Sequence, residues 1–363
     1  MGKITSVIKK VLSVLALLLV TVVLVVGAYF AYVFISYNRI PDNQPVMVDQ
    51  NAKEKALAVG ESYTMVTQNV GFGAYIPDFT FFMDGGKESR GRSKEIVKET
   101  VDLCAKTLKN FNPDFMLLQE VDTDSTRAFY IDQNKQIQDF FPSFSCAFAQ
   151  NYHSPYLMYP ILKPHGASKS GIGTYSRFAI QSALRRQLVI STGFSKLLDY
   201  DRAFSLSRVE VENGRELVIF NVHLSAYGAD ASIKENQMKK LFADMSAEYE
   251  KGNYVICGGD FNADFTGTSV KTLNKNPKDM GWTKPFFDEL IPAGFTKCVD
   301  YSDGKVTASA RDVDIPYGPD CFTVIVDGFL VSDNVDVNFL QIVDTGFAYS
   351  DHNPVVMKFA LKN

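Results

Sequence analysis

Cysteine and histidine are scarce in this chain of 363 residues, and tryptophan occurs only once. The five cysteines show no CxxC spacing and are odd in number, which excludes a cysteine-rich zinc site and an evident disulfide framework. We expect them to be small core residues, with a bond between Cys298 and Cys321 as the alternative. No internal repeat or low-complexity tract divides the chain into several domains.

Basic charge is also in short supply. The first 38 residues carry three lysines and no acidic residue, so the remainder has 34 basic against 41 acidic residues, a net charge of about −7. A general nucleic-acid binder needs a basic face that displaces counterions from phosphates. Non-specific binding to duplexes is therefore disfavoured, although a local basic patch remains compatible with this balance.

Charged residues are missing altogether from residues 11–38. This apolar stretch exceeds the roughly 20 residues that cross a bilayer core about 30 Å thick. Three lysines precede it, so the positive-inside rule predicts a cytoplasmic N-terminus at 1–10, a single-pass anchor at 11–38 and an extracytoplasmic remainder. A cleaved signal peptide is the alternative, but its apolar core is only about 7 to 15 residues long, and the GAY sequence here is a poor cleavage site.

The rest of the chain is predicted to be one domain at residues 61–363, joined to the anchor by a polar linker at 39–60. Many strands with a few helices favour an α+β class fold with two packed sheets and helices on the outside. Helices are predicted at 93–110, 130–140 and 231–250, and a long loop at 151–170. Strands are predicted at 63–70, 114–121, 144–149, 171–178, 204–211, 216–224, 254–262, 296–299, 322–331, 337–343 and 355–361.

Acid, amide and imidazole side chains recur at the ends of short apolar runs. The runs read TMVTQN, DFMLLQE, LVIFNVH, YVICGGDFN and VIVDGFLVS, and a YSDHNPV segment follows near the C-terminus. Hydrophobic strands would carry these residues to one rim of the sheets, so a single site is predicted. Its members are Asn69, Glu120, His223, Asp260, Asn262, Asp327, Asp351 and His352.

The oxygen-bearing members suit a hard cation such as Mg²⁺, with Mn²⁺ as the alternative, because such ions prefer oxygen ligands and keep several waters. Glu120 is the best candidate for a direct ligand, and Asn69 adds a neutral amide oxygen. Asp260 and Asn262 are two residues apart, so on an extended strand they would face the same side. Asp260 can then orient or deprotonate a water, while Asn262 donates to a phosphoryl oxygen.

Histidine supplies the group that titrates near neutral pH. His352 is a candidate general base if Asp327 accepts a hydrogen bond from one ring nitrogen and holds the tautomer. His223 can donate to phosphoryl oxygens or to the leaving group. His153 and His165 fall in the predicted loop and are expected to be ordinary exposed residues. Each motif alone is common in structural strands and turns, so the prediction depends on their combination.

Together the motifs resemble those of the endonuclease/exonuclease/phosphatase superfamily, which includes deoxyribonucleases, sphingomyelinases and inositol polyphosphate 5-phosphatases. The resemblance covers residues 63–361. It implies a four-layer α/β sandwich of two packed mixed sheets, Mg²⁺ dependence and in-line attack of water on a phosphate ester. It assigns the metal to Asn69 and Glu120 with support from Asp351, and water activation to Asp260 or His352.

The substrate is less well defined by these motifs. Arg177, Arg202 and Lys169 are candidates for substrate-phosphate recognition, and Arg127 is also available. Gly328 stands where many relatives have an aromatic residue, which puts stacking from that position in doubt. The leading hypothesis is a monomeric, membrane-tethered phosphodiesterase acting on a lipid head group. The alternatives are an extracellular nuclease and a catalytically silent binding module.

Overall fold

The computed structural model describes residues 2–193, 196, 201–226, 231–277, 280–299 and 306–363. Its helices are α1 (Gly2–Ile35), α2 (Lys94–Asn110), α3 (Gln133–Phe140), α4 (Ala231–Glu250) and α5 (Ser269–Leu273). Its strands are β1 (Gln44–Val46), β2 (Val48–Asp49), β3 (Ala56–Leu57), β4 (Ser62–Asn69), β5 (Phe115–Asp122), β6 (Ser145–Leu157), β7 (Gly166–Ser176), β8 (Ile180–Gln187), β9 (Ala203–Val211), β10 (Glu216–His223), β11 (Tyr254–Asp260), β12 (Phe295–Cys298), β13 (Ala310–Arg311), β14 (Thr323–Val324), β15 (Asp327–Ser332), β16 (Val335–Ile342) and β17 (Val355–Leu361).

Apart from β13 and β14, which pair with each other, the strands form two large mixed sheets that pack face to face. The first sheet has the order β16-β17-β4-β5-β7-β6-β2, and the second runs β1-β8-β9-β10-β11-β15-β12 with β3 added beside β9. Within them β4 and β5 are parallel, as are β10 and β11, whereas most other neighbours are antiparallel. This confirms the predicted α+β class and the two packed mixed sheets flanked by helices.

Strand β5 shows how the layers arise from a nearly continuous apolar run. Phe115 and Leu117 point into the core between the two sheets, while Met116 and Leu118 face the opposite side, where α2 and α3 cover the sheet. Because side chains alternate along a strand, a strand buried on both faces needs apolar residues at consecutive positions. The run is therefore the expected sequence of a central strand.

Helix α2 confirms the predicted helix at 93–110. Ser93 caps it by accepting from the Ile96 amide at 3.2 Å. Its apolar stripe packs on the first sheet through Val101, Cys104 and Leu108. All five cysteines are free thiols, and four of them are buried, as expected for small core residues.

Helix α1 contacts the sheets near its C-terminal end, where Tyr29 and Tyr32 hydrogen-bond to Tyr156 of β6. Its segment Ile4–Ile35 is long and apolar enough to cross a membrane, and the most apolar part of it is not buried inside the protein. A membrane anchor and a signal sequence share these properties. The helix therefore agrees with the predicted apolar N-terminal span without defining its orientation.

The prediction of a long loop at 151–170 was wrong. Most of that segment belongs to β6 and β7, which pair from Ser145 with Ser176 out to Leu157 with Gly166 and form a long hairpin. The hairpin carries serines, a histidine and Lys169 at paired positions, and this polarity hid the strand pattern. Strand β8 was missed for a related reason, because its sequence carries two consecutive arginines.

The segment 39–60, taken as a linker from its prolines and charges, pairs with both sheets. Strand β1 joins β8, β2 joins β6, and β3 joins β9. Leu57 is fully buried in the main core. This part of the chain therefore lies on the domain as short edge strands rather than between the domain and the anchor.

Smaller corrections concern where elements begin and end. The helix predicted at 130–140 begins only at Gln133, because Phe129 and Tyr130 have positive φ and Asp132 caps the helix by accepting from the Lys135 amide. The strand predicted at 322–331 is two strands, since β14 ends at Val324 and β15 begins at Asp327. The latter break places Asp327 at a strand start.

Candidate active site

Seven of the eight residues predicted for the site line one cavity. The carboxylate of the eighth residue, Asp327, is buried directly behind that cavity. The cavity has a volume of about 950 Å³, part of which is open solvent. Glu120 and the His352 ring line it together, so the two halves of the predicted site share one space. The cavity-lining members of the predicted set are Asn69, Glu120, His223, Asp260, Asn262, Asp351 and His352.

The second sheet supplies a row of three of these residues through its register. His223 ends β10 and lies opposite Asp260 in the parallel strand β11, and Asp260 in turn lies opposite Asp327 in β15. Side chains at matched positions of neighbouring strands project on the same face. The row is therefore a direct consequence of strand pairing.

Asp327 holds the ring of His352. The Nδ1 atom of His352 lies 2.7 Å from Oδ2 of Asp327, which also accepts from the Ser309 hydroxyl at 2.8 Å. Burial by itself would lower the pKa of His352, but the carboxylates of Asp327 and Asp260 outweigh it and raise that pKa well above its ordinary value. His352 is therefore stabilised as a cation, with Nε2 facing Asp260 at 3.8 Å.

Asp260 lies where the hydrogen bonds of the site converge. Its Oδ1 accepts from the Asn262 amide at 2.8 Å, and its Oδ2 accepts from Nδ2 of Asn69 at 3.1 Å. Burial raises the pKa of Asp260 to about 7, with Asp327 adding to the rise and His352 opposing it. Such a carboxyl group exchanges its proton close to neutral pH.

Asn262 reaches the cavity by a different route from the one predicted. Strand β11 ends at Asp260, and Asn262 has a φ of 49°, so a tight turn rather than strand alternation brings the two residues to one side. Its Nδ2 donates to the carbonyl of Leu224 at 2.8 Å and lies 3.3 Å from Oδ2 of Asp260. The predicted proximity is present, but its geometric reason was wrong.

His223 is buried beside the same carboxylates. Its Nε2 lies 3.5 Å from Oδ2 of Asp260 and 4.0 Å from Oε1 of Glu120. Burial, followed by the positive charges of Arg202 and His352, lowers its pKa well below the ordinary value. A neutral imidazole here can donate one hydrogen bond without adding positive charge.

Glu120 projects from a β-bulge in β5. The pairing of β5 with β7 shifts register between Leu118 and Val121, and Glu120 has a φ of 54°, in the left-handed region that non-glycine residues avoid. Nδ2 of Asn69 donates to Oε1 of Glu120 at 3.2 Å. The strand continues to Asp122, so Glu120 lies within the strand and the bulge, not a strand end, directs it inward.

Asp351 completes the acidic side of the cavity. Burial raises its pKa to about 6, and the nearby Glu120 adds to the rise while His352 opposes it. Gly71 makes room for it, because a Cβ there would lie 2.8 Å from Oδ1 of Asp351 and 2.3 Å from the Tyr75 ring. Two carboxylates that repel each other inside a cavity are a setting that a cation stabilises.

Two groups of residues could hold that cation. Asp260, Asp327 and His352 offer ligand atoms within 4.8 Å of one another, but the short Nδ1 contact between His352 and Asp327 is an ion-paired hydrogen bond. Glu120, Asp351 and the amide oxygen of Asn69 form an all-oxygen set, which is the chemistry that Mg²⁺ or Mn²⁺ selects. The oxygen set therefore fits a hard divalent cation better.

The predicted phosphate-binding residues separate in the structure. Arg202 lines the cavity. Lys169 instead pairs with Asp124 at 2.8 Å on the exposed surface, and Arg177 pairs with Asp114 at 2.7 Å, at the end of β5 away from Glu120. Neither of these two lines the cavity, so proximity in the sequence to the motifs was a poor guide.

Other polar residues on the cavity wall were missed. Buried atoms on this wall lack a hydrogen-bond partner in the described part of the chain, namely Nε of Arg311, Nδ2 of Asn151 and Oγ of Ser170. Arg127, by contrast, was named as available for phosphate recognition, and it does line the cavity, held by two 2.9 Å contacts to Asp122. No local motif marks these residues, because their strands carry no recognisable chemical signature.

The two loop histidines are not the exposed residues that were predicted. His165 is buried on the cavity wall, where burial and then the positive charge of Arg127 lower its pKa to about 4, and its Nδ1 lies 2.7 Å from the Ser89 carbonyl. His153 is half-buried against Asp201. Hairpin formation by β6 and β7 places both residues against the domain.

Gly328 leaves no aromatic platform at its own position. A Cβ there would lie 2.3 Å from the ring of Phe265, which fills the space beside it. The single tryptophan, Trp282, lines the cavity instead and lies 3.3 Å through Nε1 from Oδ2 of Asp312. Trp282 therefore adds an indole to the aromatic side chains of Tyr75, Phe81 and Tyr152 on the same wall.

Several solved structures share this fold. An endonuclease/exonuclease/phosphatase from Beutenbergia cavernae DSM 12333 is 14% identical, with 83% of this chain and 72% of that chain covered and a TM-score of 0.52. ANGEL2, a 2',3'-cyclic phosphatase in complex with adenosine-2',3'-vanadate, is 13% identical over 89% of this chain and 100% of that chain, with a TM-score of 0.55. A Bacteroides vulgatus protein is 13% identical over 83% and 100%, with a TM-score of 0.51.

Sequence comparison gives a more specific result than these structural similarities. No curated protein matches the chain. Residues 66–352, which include every predicted site residue, match the family described as the Endonuclease/Exonuclease/phosphatase family. The chain therefore belongs to the endonuclease/exonuclease/phosphatase family and is a metal-dependent hydrolase of phosphoric ester bonds.

Proposed function

We propose that this protein is a membrane-anchored, Mg²⁺-dependent phosphodiesterase that cleaves a lipid head group by in-line attack of water, with its domain outside the cell. The observation that carries the proposal is the single cavity in which the ion pair of His352 and Asp327, the Asp260 carboxyl and the Glu120 carboxylate meet. A proton acceptor, a buried cation and an oxygen-lined ion site are the groups that phosphodiester hydrolysis needs.

Asp260 is the proposed acceptor of the proton from the attacking water. Burial raises its pKa to about 7, and its Oδ2 lies 3.8 Å from Nε2 of His352, whose own pKa the carboxylates of Asp327 and Asp260 raise well above the ordinary value. The His352 ring and the side-chain amide of Asn262 then donate hydrogen bonds to the phosphoryl oxygens as negative charge develops there. Neutral His223 donates a further hydrogen bond from the opposite side.

Glu120, Asn69 and Asp351 would hold the divalent cation. When bound, the ion neutralises charge on the phosphoryl group and helps to position it. In the protein itself, Asn69 links the two halves of the site, since its Nδ2 donates to both Glu120 and Asp260. The Asn69 Oδ1 atom accepts from the Gly71 amide at 2.9 Å and keeps a second lone pair for an ion.

The cavity wall favours a small anionic or hydroxyl-rich head group. Arg202 and Arg311 bring positive charge to this wall, and Asn151 and Ser170 add polar side chains to its lining. The acidic domain as a whole disfavours long polyanions over a head group of this size.

A nuclease is the second candidate, and Trp282 is the observation in its favour. Its indole on the cavity wall could stack on a nucleobase, which contributes about 1–3 kcal/mol per base in single-strand binding. The full chain in detergent micelles with Mg²⁺ should be assayed against phospholipid, sphingomyelin, phosphosugars, RNA and DNA. Rapid cutting of nucleic acid with inert lipids would replace the lipid proposal by this one.

Site variants test the proposal independently of the substrate. Glu120→Gln and His352→Ala should each lower kcat on bis(p-nitrophenyl) phosphate by about 10² to 10⁴-fold, because the first weakens the proposed ion site and the second removes a cation that stabilises charge in the transition state. Asp124→Asn, an exposed acid near the bulge, is the matched control and should leave kcat unchanged. EDTA should abolish activity, and Mg²⁺ or Mn²⁺ should restore it. Full activity of either site variant, with the unfolding midpoint unchanged, would remove the assignment.

A further inference from the structure

The turn of the β6–β7 hairpin is an exposed apolar surface that the catalytic chemistry does not use. Its residues 156–162 read YLMYPIL, and we call this segment the hairpin tip. Tyr159 is 69% exposed, Ile161 82% and Leu162 100%. Scattered exposed apolar residues are ordinary, but a contiguous run of this kind marks an interaction surface.

The hairpin tip lies against the C-terminal part of α1. The Tyr29 hydroxyl donates to the Tyr156 carbonyl at 3.4 Å and accepts from the Met158 amide at 3.0 Å, while the Tyr32 hydroxyl accepts from the Tyr156 amide at 3.1 Å. Tyr29 precedes the last helical residue, Ile35, by six positions, which is about 9 Å along the helix axis. The hairpin tip therefore reaches back along the anchor toward the apolar span.

The surroundings of this contact have the composition of a membrane interface. Tyrosines concentrate at the head-group level of spanning helices, and Tyr29 and Tyr32 occupy that position in α1. Lys196 adds a cation at the helix exit, with Nζ 5.4 Å from the centroid of the Phe34 ring and 4.8 Å from that of Tyr37. An apolar surface next to tyrosines and a lysine has the residue composition found at the boundary between the hydrocarbon core and the head groups of a bilayer.

The same hairpin connects this surface to the cavity. The Tyr159 ring lies 5.7 Å from that of Phe82, which in turn lies 5.9 Å from the ring of His165 on the cavity wall. Near the base of the hairpin, Asn151 and Ser170 line the cavity directly. One element therefore carries both an apolar tip and polar groups of the binding wall.

We propose that the hairpin tip inserts into the lipid bilayer beside α1 and so holds the catalytic cavity against the head-group layer. The occupant of this surface is lipid because the hairpin tip contacts α1, which under the proposed anchoring crosses the bilayer. Ile161 and Leu162, the most exposed side chains of the hairpin tip, would leave water on insertion. The inference rests on the proposed membrane anchoring, and the experiment separates the two.

Depth-dependent quenching tests the insertion in the full chain. An environment-sensitive fluorophore is attached at Leu162→Cys in a Cys298→Ser background, and the protein is reconstituted into phosphatidylcholine–phosphatidylglycerol vesicles containing spin-labelled lipid. Leu18→Cys, within α1, reports the anchor. Phe339→Cys lies on β16, at the opposite edge of the first sheet, and reports the water-exposed domain.

We expect quenching and a blue-shifted emission at positions 18 and 162, with neither at 339. Quenching at 18 but not at 162 would overturn the hairpin proposal and leave the anchor intact. No quenching at either position would overturn both. In a separate sample the spin label is placed on a second copy of the protein instead of on lipid. Quenching at 162 in that sample only, and only at high protein density, would show that a second copy covers the surface and would also overturn the proposal.

A kinetic comparison gives a second readout. The double variant Ile161→Asp with Leu162→Asp should lower turnover of a phospholipid in vesicles by at least about tenfold, because charge on the hairpin tip opposes insertion. Its turnover of bis(p-nitrophenyl) phosphate should be unchanged, as should both activities of the control Phe339→Asp. Equal loss on both substrates, or no loss on vesicles, contradicts the proposal.

Discussion

Among single residues, Asp327 has the most defined position relative to the proposed chemistry. It accepts from His352 and from Ser309, and the backbone amide of Val326 donates to the same hydroxyl at 2.8 Å. This arrangement leaves one orientation for the His352 ring. Asp327→Asn should keep the geometry but lower kcat by about 10² to 10⁴-fold, since a neutral amide no longer stabilises the positive charge on the His352 ring.

The measurement for this variant is kcat on bis(p-nitrophenyl) phosphate, with unfolding followed by the fluorescence of Trp282, the single tryptophan. Asp333→Asn is the matched control, because Asp333 lies just beyond the other end of β15 and contacts Tyr249 rather than the cavity. Retained kcat in Asp327→Asn would mean that the ion pair with His352 serves structure alone.

At the scale of elements, the bulge in β5 carries a backbone cost that is linked to the site. Glu120 occupies the left-handed region, where a residue with a Cβ loses about 1 kcal/mol relative to glycine. Glu120→Gly and Glu120→Ala should both abolish activity, yet the glycine variant should be more stable by about 1 kcal/mol. This difference corresponds to about 2 °C in unfolding midpoint for a domain of this size. Equal stability of the two would show that the bulge is not strained.

The packing of α4 on the second sheet depends on an ion pair whose stabilisation varies with pH. Arg208 in β9 contacts Glu248 of α4 through two bonds of 2.7 and 2.8 Å. Burial would raise the pKa of Glu248, but hydrogen bonds from Arg208 and Lys251 outweigh it and lower the pKa from its usual value near 4.5 to about 2. Because the pKa of Glu248 is lower in the folded state than in the unfolded state, its ionised form stabilises the fold fully above pH 4.5. That stabilisation is lost as the pH falls toward 2.

Glu248→Gln should therefore destabilise the protein by about 1–2 kcal/mol at pH 7, after allowance for solvent screening. The deficit relative to the unmodified chain should shrink steadily between pH 4.5 and pH 2. Urea unfolding followed by Trp282 fluorescence measures it. Glu250→Gln, an exposed acid in the same helix, should show no deficit at any pH, and a constant deficit for Glu248→Gln would exclude the ion pair as its cause.

At the scale of the whole molecule, the segment 39–60 acts as part of the folded domain. Asp42 contacts Lys240 at 2.6 Å and the Gln187 amide at 2.8 Å, and the three short strands add to both sheets. A chain starting at residue 39 should fold with the stability of the full domain. A chain starting at residue 61 should unfold more than about 5 °C lower, because it loses buried Leu57 and three edge strands. Equal midpoints would restore the view of this segment as a free linker.

Much of the site was predictable because it depends on local pattern. Apolar runs that end in Asn69, His223 or Asp260 identify central strands and the rim at which they stop, since a strand buried on both faces has a simple composition. Arg311, Asn151 and Ser170 were not predictable in this way. They lie in short or polar strands, and only the folding of distant segments brings them to the same wall.

The sequence by itself determined the chemical set of acids, amides and imidazoles, the central strands that carry most of it, and the apolar N-terminal helix, because composition and periodicity act over a few neighbouring residues. The tertiary structure alone decided that β5 bulges at Glu120, that Arg202 rather than Arg177 reaches the cavity, and that the β6–β7 hairpin extends to α1. These features depend on strand register and on packing between residues more than a hundred positions apart, which no local pattern encodes.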